Sequence, residues 1–497
     1  MGSRSGTFKQ AKSVAKVRTR SGRANPGQAN PGKQTISQPT SSWMAAAGAI
    51  AILLAAATGI GFSTWLGARF ILNPQSLSWL NQWLPNWIPV PVTGLKPPQT
   101  LLQIRTEIVQ AGFIPGVELA LGQNRSVVDS QHMASDLLVP VLERQPNCQN
   151  ACEKIVALRL YQSTPLQQKA TEGQALTFHL VTELAIAGPE ELFVLTPLIS
   201  TGSDTQGSTR QLPLTTLKRF ESKFLPPGIW LNLSGEWSRN NMVIYGKIVH
   251  YNPSRFHLST MLEWSSTTRE EPTWQPVIGA ATSELVINQT VGMEPQFKIF
   301  QVHPRKFLPN PIQLESISLV EPALDSQSYQ KGLLLARGGL WSIGLQWLQS
   351  VKRQRGHAWT SAAQAQMELV HRHAQATQTQ AEKSWVSTNQ QILANLIDGR
   401  WLRALSIFEA SSENALEIAD LLRADRGQLQ RRVESALQVN PAQLEVKVWG
   451  ALLIAAQKNP GAAIAWLKNQ PKTTSTDITR IRQLIKRIEN STNPLDE

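Results

Sequence analysis

Arg255 to Trp264 reads RFHLSTMLEW, and its alternation decides what the middle of the chain is. Phe256, Leu258, Leu262 and Trp264 fall on one side of an extended chain, and His257, Ser259 and Glu263 on the other. Neighbouring side chains of a strand point to opposite faces, so a period of two marks a half-buried β-strand. The same period recurs in ALTFHLVTELAIA, Ala175 to Ala187. There Leu176, Phe178, Leu180, Leu184 and Ile186 share one face, and His179 and Glu183 share the other. WLNLSGEW, Trp230 to Trp237, puts Leu231, Leu233 and Trp237 on one side. Turn clusters such as LPPG (225–228) and YNPS (251–254) separate roughly eight to ten such segments. The pattern predicts a β-sandwich-like domain of two packed antiparallel sheets over residues 136–322.

Towards the N-terminus the chemistry changes twice. IPVPVTGLKPPQ, Ile88 to Gln99, is a Pro-rich linker, followed by one predicted helix from Thr100 to Ala111 that stops at Gly112. Residues 100–135 are that helix and a connector. Before the linker, Trp43 to Ala68 runs 26 positions without a charge, where a bilayer core needs about 20. The expectation is a retained transmembrane helix over 43–68. The alternatives are a signal cleaved near Ala55-Ala56-Ala57 and a buried soluble helix. Residues 69–99 carry Trp79, Trp83 and Trp87, four apart, a spacing suited to the headgroup level of a bilayer. A short helix packing on its own domain is the other reading of that segment.

Charge sets the orientation. The 497 residues carry +13, but residues 1–106 hold 11 Lys and Arg with no Asp or Glu. The rest is nearly balanced, 37 basic against 35 acidic. Nucleic acid is therefore an unlikely partner, since only the tail is basic. Residues 1–42 repeat Ala-Asn-Pro-Gly without apolar periodicity and are expected to be disordered. Eight of the basic residues precede the span, and only Arg69, Lys96 and Arg105 follow it closely. That asymmetry puts the N-terminus in the cytoplasm and everything past Ala68 outside it.

Motif chemistry is sparse. The middle region contains no H-E-x-x-H, G-x-S-x-G, Walker-type phosphate loop or G-x-G-x-x-G. No catalytic, cofactor or metal residue is assigned, and no cofactor is expected. His179 with Glu183 is read as an exposed polar face rather than an acid–base pair. His250, on a face with Met242, Ile244 and Ile248, is read as a satisfied core histidine. Trp230, Trp237, Trp264 and Trp274 are read as core, with a sugar-stacking platform as the alternative. Cys148 and Cys152 lie in RQPNCQNACEK between two strands; outside the cytoplasm they are expected to close a small disulfide loop, free thiols being the alternative. Zinc lacks a second pair of ligands there.

From about Tyr329 the period becomes helical, and the chain repeats itself over residues 327–492. GLWSIGLQWLQ (339–349) aligns with GRWLRALSIFE (399–409), and AIAWLK (463–468) with the end of the latter. The seam is Gly339, Trp341, Gly344 and Leu345 in the first copy, Gly399, Trp401, Ala404 and Leu405 in the second, and Ala463, Ile464 and Trp466 in the third. Small residues there let helices approach, and the Leu and aromatic positions fill the gap. Asn440-Pro441 and Asn459-Pro460 each offer an N-cap with Pro at the first helical position. Between copies, 357–385 forms one long polar helix, on which Glu368 and His371 are read as a solvated pair rather than half of a di-iron site.

ALQVNPAQLEVKVWGALLIAAQKNPGAAIAWL, Ala436 to Leu467, resembles a tetratricopeptide-type unit, although Leu453 stands where that family usually has Gly. That likeness spans about Gln390 to Gln470 and implies a protein-binding array. The phrases LEWSSTTREEPTWQPV (262–277), NQTVGMEPQFKIFQV (288–302) and IYGKIVHYNP (244–253) are similar to a class of single-pass membrane proteins of cyanobacteria. That likeness implies periplasm or thylakoid lumen as the outer space and carries no activity with it. The expectation is thus a multidomain α+β chain with one transmembrane helix, a β-sandwich-like domain and an all-α helical-repeat domain. It is expected to act without catalysis, as an exoplasmic scaffold that binds other proteins. The rival is a glycan- or ligand-binding envelope protein, hydrolytic in one form, that uses the β domain. A third possibility is a subunit of a larger membrane complex.

Overall fold

The computed structural model describes residues 97–122, 136–145, 153–163, 176–200, 208–239, 242–253, 255–279, 283–305, 312–410 and 415–492. The basic tail, the span Trp43–Ala68, the Trp79, Trp83 and Trp87 segment and the Cys148/Cys152 pair lie outside the described residues. Among the described residues no helix is long and apolar enough to cross a membrane. The described chain is mixed α+β, with antiparallel sheets followed by a helical C-terminal region.

The first sheet is built from β1 (Gln99–Thr100), β2 (Ile114–Pro115), β3 (Leu119–Ala120), β4 (Leu137–Arg144), β5 (Glu153–Ser163) and β6 (Thr177–Ala185). Its order is β1-β6-β5-β4-β2, with β3 also on β4. Helix α1 (Leu101–Gln110) starts where predicted, because Thr100 and Gln103 form a reciprocal capping box. It buries Ile104 and Ile108 against Val139, Val141 and Tyr161 of the sheet.

Helix α2 (Glu191–Ser200) leads into the second sheet of β7 (Thr216–Arg219), β8 (Ile229–Ser238), β9 (Met242–Asn252) and β10 (His257–Ser266), ordered β10-β9-β8-β7. The third sheet follows, with β11 (Thr273–Gln275), β12 (Glu284–Asn288), β13 (Phe297–Pro304) and β14 (Ile312–Ser316) in sequence order. There are thus three sheets where the alternation predicted two. The second is buried on both faces. Leu231, Leu233, Tyr245 and Val249 pack towards the first sheet and α2. Trp230, Ile244, Ile248 and Trp264 pack on Leu285, Ile287 and Phe300 of the third. A strand covered on both sides is a near-continuous apolar run, and β9 (MVIYGKIVHYN) is one.

Two bulges correct the predicted faces. In β10, Thr260 pairs with Val249 and Leu262 with Ile248, so Met261 is an extra residue. Phe256 and Leu258 therefore join the core of the first and second sheets, whereas Leu262 and Trp264 join that of the second and third. In β6, Leu180 pairs with Tyr161 and Thr182 with Leu160, leaving Val181 extra. Phe178 and Leu180 lie with α1, and Leu184 and Ile186 on the opposite face. A one-residue insertion inverts every side chain beyond it. His179 and Glu183 consequently fall on opposite faces, and Glu183 pairs with Arg159 at 2.8 Å.

The described residues from Gln327 to Thr492 form ten helices. They are α3 (Gln327–Arg337), α4 (Trp341–Arg355), α5 (Ser361–Glu382), α6 (Thr388–Asp398), α7 (Trp401–Ala410), α8 (Ala415–Arg423), α9 (Gln428–Val439), α10 (Leu444–Gln457), α11 (Pro460–Lys468) and α12 (Ser475–Thr492). The repeated Gly-x-Trp has a physical basis. Gly339 (φ +88°) ends α3 and Gly399 (φ +81°) ends α6. In both places the Gly N–H reaches back three residues and the next N–H five, the Schellman pattern. The Trp then opens the following helix. Gly344, Leu345, Trp401, Ala404, Leu405 and Ala463 are buried as the seam requires, with Trp341, Ile464 and Trp466 half-buried. Below the first two caps, buried Asp398 accepts from Thr377 Oγ1 (2.7 Å), Arg400 Nε (2.6 Å) and Ser342 Oγ, tying α4, α5 and α6 together.

Three details depart from expectation. Asn440-Pro441 does not open a helix; Asn440 ends α9 and its Oδ1 accepts from Ala442 N–H in a turn, whereas Asn459-Pro460 opens α11 as predicted. The long polar helix α5 is largely covered, burying Ala363, Met367, Val370, Ala374 and Thr377. Nor do the helices stack only on their sequence neighbours. Helix α9 returns to pack on α3, and α10 is enclosed by its neighbours, with eight consecutive residues buried from Val446 to Leu453. A nearest-neighbour solenoid has neither feature.

Candidate functional site

The third sheet joins the helices through Val286 and Ile299, which pack on α3, α4 and α5. Beside this junction lies a groove of about 820 Å³. One wall is a stripe of α5: Arg372, Gln375, Ala376, Thr379 and Gln380 recur at helical spacing and line it. The other wall is the third sheet, with Thr273 and Gln275 of β11, Asn288 of β12 and Phe297 of β13. The turn between β10 and β11 closes one end with Glu270 and Glu271. Arg269 bends that turn in the left-handed region, at φ +63°, a conformation uncommon for a non-glycine residue.

Each wall is anchored in a core. Glu270 accepts from Asn288 Nδ2 at 2.8 Å, and Glu271 from Lys218 Nζ at 2.8 Å and Asn232 Nδ2 at 3.4 Å. Buried Asn232 in turn accepts from Trp264 Nε1 at 3.0 Å. On the helical side, the Arg372 guanidinium sits 5.5 Å over the Phe297 ring. Phe297 N–H donates to His373 Nε2 at 2.9 Å, while His373 Nδ1 donates to Leu369 O at 2.8 Å. Those two bonds require a neutral imidazole, and burial pushes its pKa down to about 4. The ring stacks on Trp341 at 3.9 Å. The Gln380 Oε1 is buried with no hydrogen-bond partner.

A second hollow of about 420 Å³ lies on the other side of Glu271, which lines both. Its walls are polar, including Thr216, Lys218, Ser234 and Glu236. A third, of about 360 Å³, is more apolar and lies between Met293 and residues of α6, α8 and α9 such as Ile397, Leu421 and Leu429. The turn that carries Met293 is held there by Glu294, which accepts two hydrogen bonds from buried Arg432 of α9, at 2.9 and 2.5 Å.

Of the residues singled out in the sequence, only Trp341 stands behind the groove. The other seam residues are structural parts of the helical region. Trp230, Trp237, Trp264 and Trp274 are 0, 7, 1 and 4 % exposed, so they offer no stacking platform. His250 is buried beside Trp230 with Nε2 bonded to Pro227 O at 3.1 Å, as read. His371 and Glu368 make a partly exposed pair at 3.2 Å, and among the described residues no three His, Cys, Asp or Glu side chains converge as a metal site would need. Sequence reasoning missed Glu270, Glu271, Arg372, Gln375 and Gln380. The adjacent acids after a strand and the amide stripe on α5 were visible, but nothing in the sequence showed that they face each other.

No protein-family model matches the chain, and no curated protein matches it. Chemically, the groove offers carboxylates, one guanidinium, several carboxamides and hydroxyls along a shallow polar path. That is a set of hydrogen-bonding groups suited to holding a polar chain.

Proposed function

We propose that this protein is a membrane-tethered binding module that holds other proteins in the groove between its third sheet and α5. The observation that carries this reading is the construction of the groove. Its two walls come from the β and helical regions, each is pinned to its own core, and its lining groups make hydrogen bonds without a metal cluster among the described residues. Rigid elements presenting polar side chains suit recognition. Tethering rests on the uncharged run Trp43–Ala68 and on Trp79, Trp83 and Trp87 beside it. The charge asymmetry places the body on the exoplasmic side, in the periplasm or thylakoid lumen if the likeness to cyanobacterial single-pass proteins holds. No catalytic step belongs to this reading. The sandwich and tetratricopeptide-like descriptions keep their use as coarse guides to sheets and helix pairs.

The test has two parts. Sealed vesicles carrying tags at both ends are treated with protease; cleavage of the N-terminal tag alone from the cytoplasmic side is expected. A photo-crosslinking residue placed at Gln375 or Thr379 should then give discrete protein adducts that the same residue at exposed Gln349 does not. C-terminal cleavage from the cytoplasm overturns the orientation, and equal adducts at all three positions overturn the groove.

A further inference from the structure

We infer that the groove and the hollow beyond Glu271 form one trough, which takes an extended polypeptide segment bearing a basic side chain at the Glu236–Glu270–Glu271 end and a carboxylate at the Arg372 end. This rests on the reading of the protein as a binding module and says what it binds.

The charges are arranged by pairing. Lys218 is already engaged by Glu271 at 2.8 Å. Glu270 is met by the neutral Asn288 amide and, at 3.4 Å, by the Thr268 hydroxyl. Glu236 lines the far hollow and is exposed. That end therefore presents carboxylate oxygens with lone pairs free for an ammonium or guanidinium. At the other end Arg372 lies over Phe297 and points its donors along the α5 wall, where a carboxylate would meet a guanidinium fork.

Between the ends stand carboxamides. Gln375 and Gln380 on α5 face Gln275 and Asn288 on the sheet. A carboxamide carries the same donor and acceptor as a peptide group, so an extended backbone finds complementary partners at every step. Gln380 Oε1 is buried and unpartnered, and a backbone N–H is the donor it lacks. Other polymers fit worse. Phosphate-bearing chains meet three carboxylates. A glycan finds no open aromatic face, because the sheet Trp residues are buried and Arg372 covers the Phe297 ring.

The test uses the protein with its anchor in detergent and fluorescein-labelled Lys-Thr-Thr-Thr-Thr-Glu as probe. Analogues replace Lys by norleucine or Glu by Gln, and chitohexaose is the glycan control. Anisotropy at low salt should show binding of the parent peptide, weakened about five- to tenfold by Glu270→Gln. That loss should vanish with the norleucine analogue. Arg372→Gln should weaken the parent peptide and leave the Gln analogue unaffected. A merely structural effect of either substitution would weaken all analogues alike and would overturn the proposal. So would chitohexaose binding without peptide binding, or no peptide binding below millimolar concentration. If the peptides fail while the Gln375 crosslinks persist, the trough chemistry falls and the binding module stands. If both fail, the module falls with it.

Discussion

The sheets and the helices of this protein treat their sequence patterns differently. In the sheets, apolar alternation is correct over four or five residues and then inverts. Strand β10 sends Leu258 to one core and Trp264 to another, because Met261 adds a residue between them. In the helices the pattern keeps its phase from end to end. Trp401, Ala404, Leu405 and Phe408 form one buried stripe of α7, as their spacing requires. Period two has no tolerance for an inserted residue, whereas a 3.6-residue period spreads an apolar stripe over more than 100°. What goes astray in the helical region is the larger arrangement, where α9 closes back on α3.

Deleting Met261 should break this comparison most severely. With the bulge gone, Leu262 and Trp264 would have to share the face of Leu258, and cooperative unfolding by denaturant should be lost. Met261→Ala keeps the residue count and should retain a sharp transition. If the deletion unfolds as cooperatively as the parent, the bulge does not separate two cores.

The seam between the two regions comes next. Glu294→Ala removes the acceptor of buried Arg432, whose side chain is 2 % exposed. The expected loss is roughly 3 kcal/mol, since a buried charge is left without its partner. Glu294→Ala with Arg432→Met should recover part of it. A loss below about 0.5 kcal/mol would mark the pair as a surface ion pair of little weight.

Acid should act on the same junction through His373. Its folded pKa is near 4, below the model value of 6.5. Above pH 6.5 the imidazole is neutral in both states and contributes no pH dependence. Between 6.5 and about 4 only the unfolded chain takes the proton, so stability falls as pH falls, by roughly 3 kcal/mol in all. Below that, both states are protonated and this loss stops. Urea titrations of the parent and His373→Gln between pH 7 and 4 should diverge by about this amount, and parallel curves would remove His373 from the linkage.

The smallest effect sharpens the helical side. Gly399→Ala adds a Cβ 2.6 Å from Ile343 Cδ1 at φ +81°, whereas Gly112→Ala at φ +84° meets nothing within 4 Å. The second should cost about 1 kcal/mol from the backbone alone, and the first roughly twice that. Equal losses in thermal unfolding would show that Ile343 simply yields.

Much of the local structure was legible. The capping box at Thr100, the Asn459-Pro460 start of α11, the glycine-terminated pairs and the buried fate of His250 all follow from short-range chemistry. The two-sheet expectation failed because β9 is apolar on both faces, which alternation read one face at a time does not register. The trough was not legible. Glu270 and Arg372 are about a hundred positions apart, and neither belongs to a motif.

The sequence by itself determined where strands and helices lie, where helices stop and which side chains are too apolar to leave in water. These depend on backbone sterics, capping and hydrophobic period, all set within a few residues. Only the tertiary structure decided which core each half of a bulged strand serves, that the helices close on themselves, and that an acidic turn faces an amide stripe on α5. Those outcomes depend on contacts between distant segments, whose geometry a local pattern does not encode.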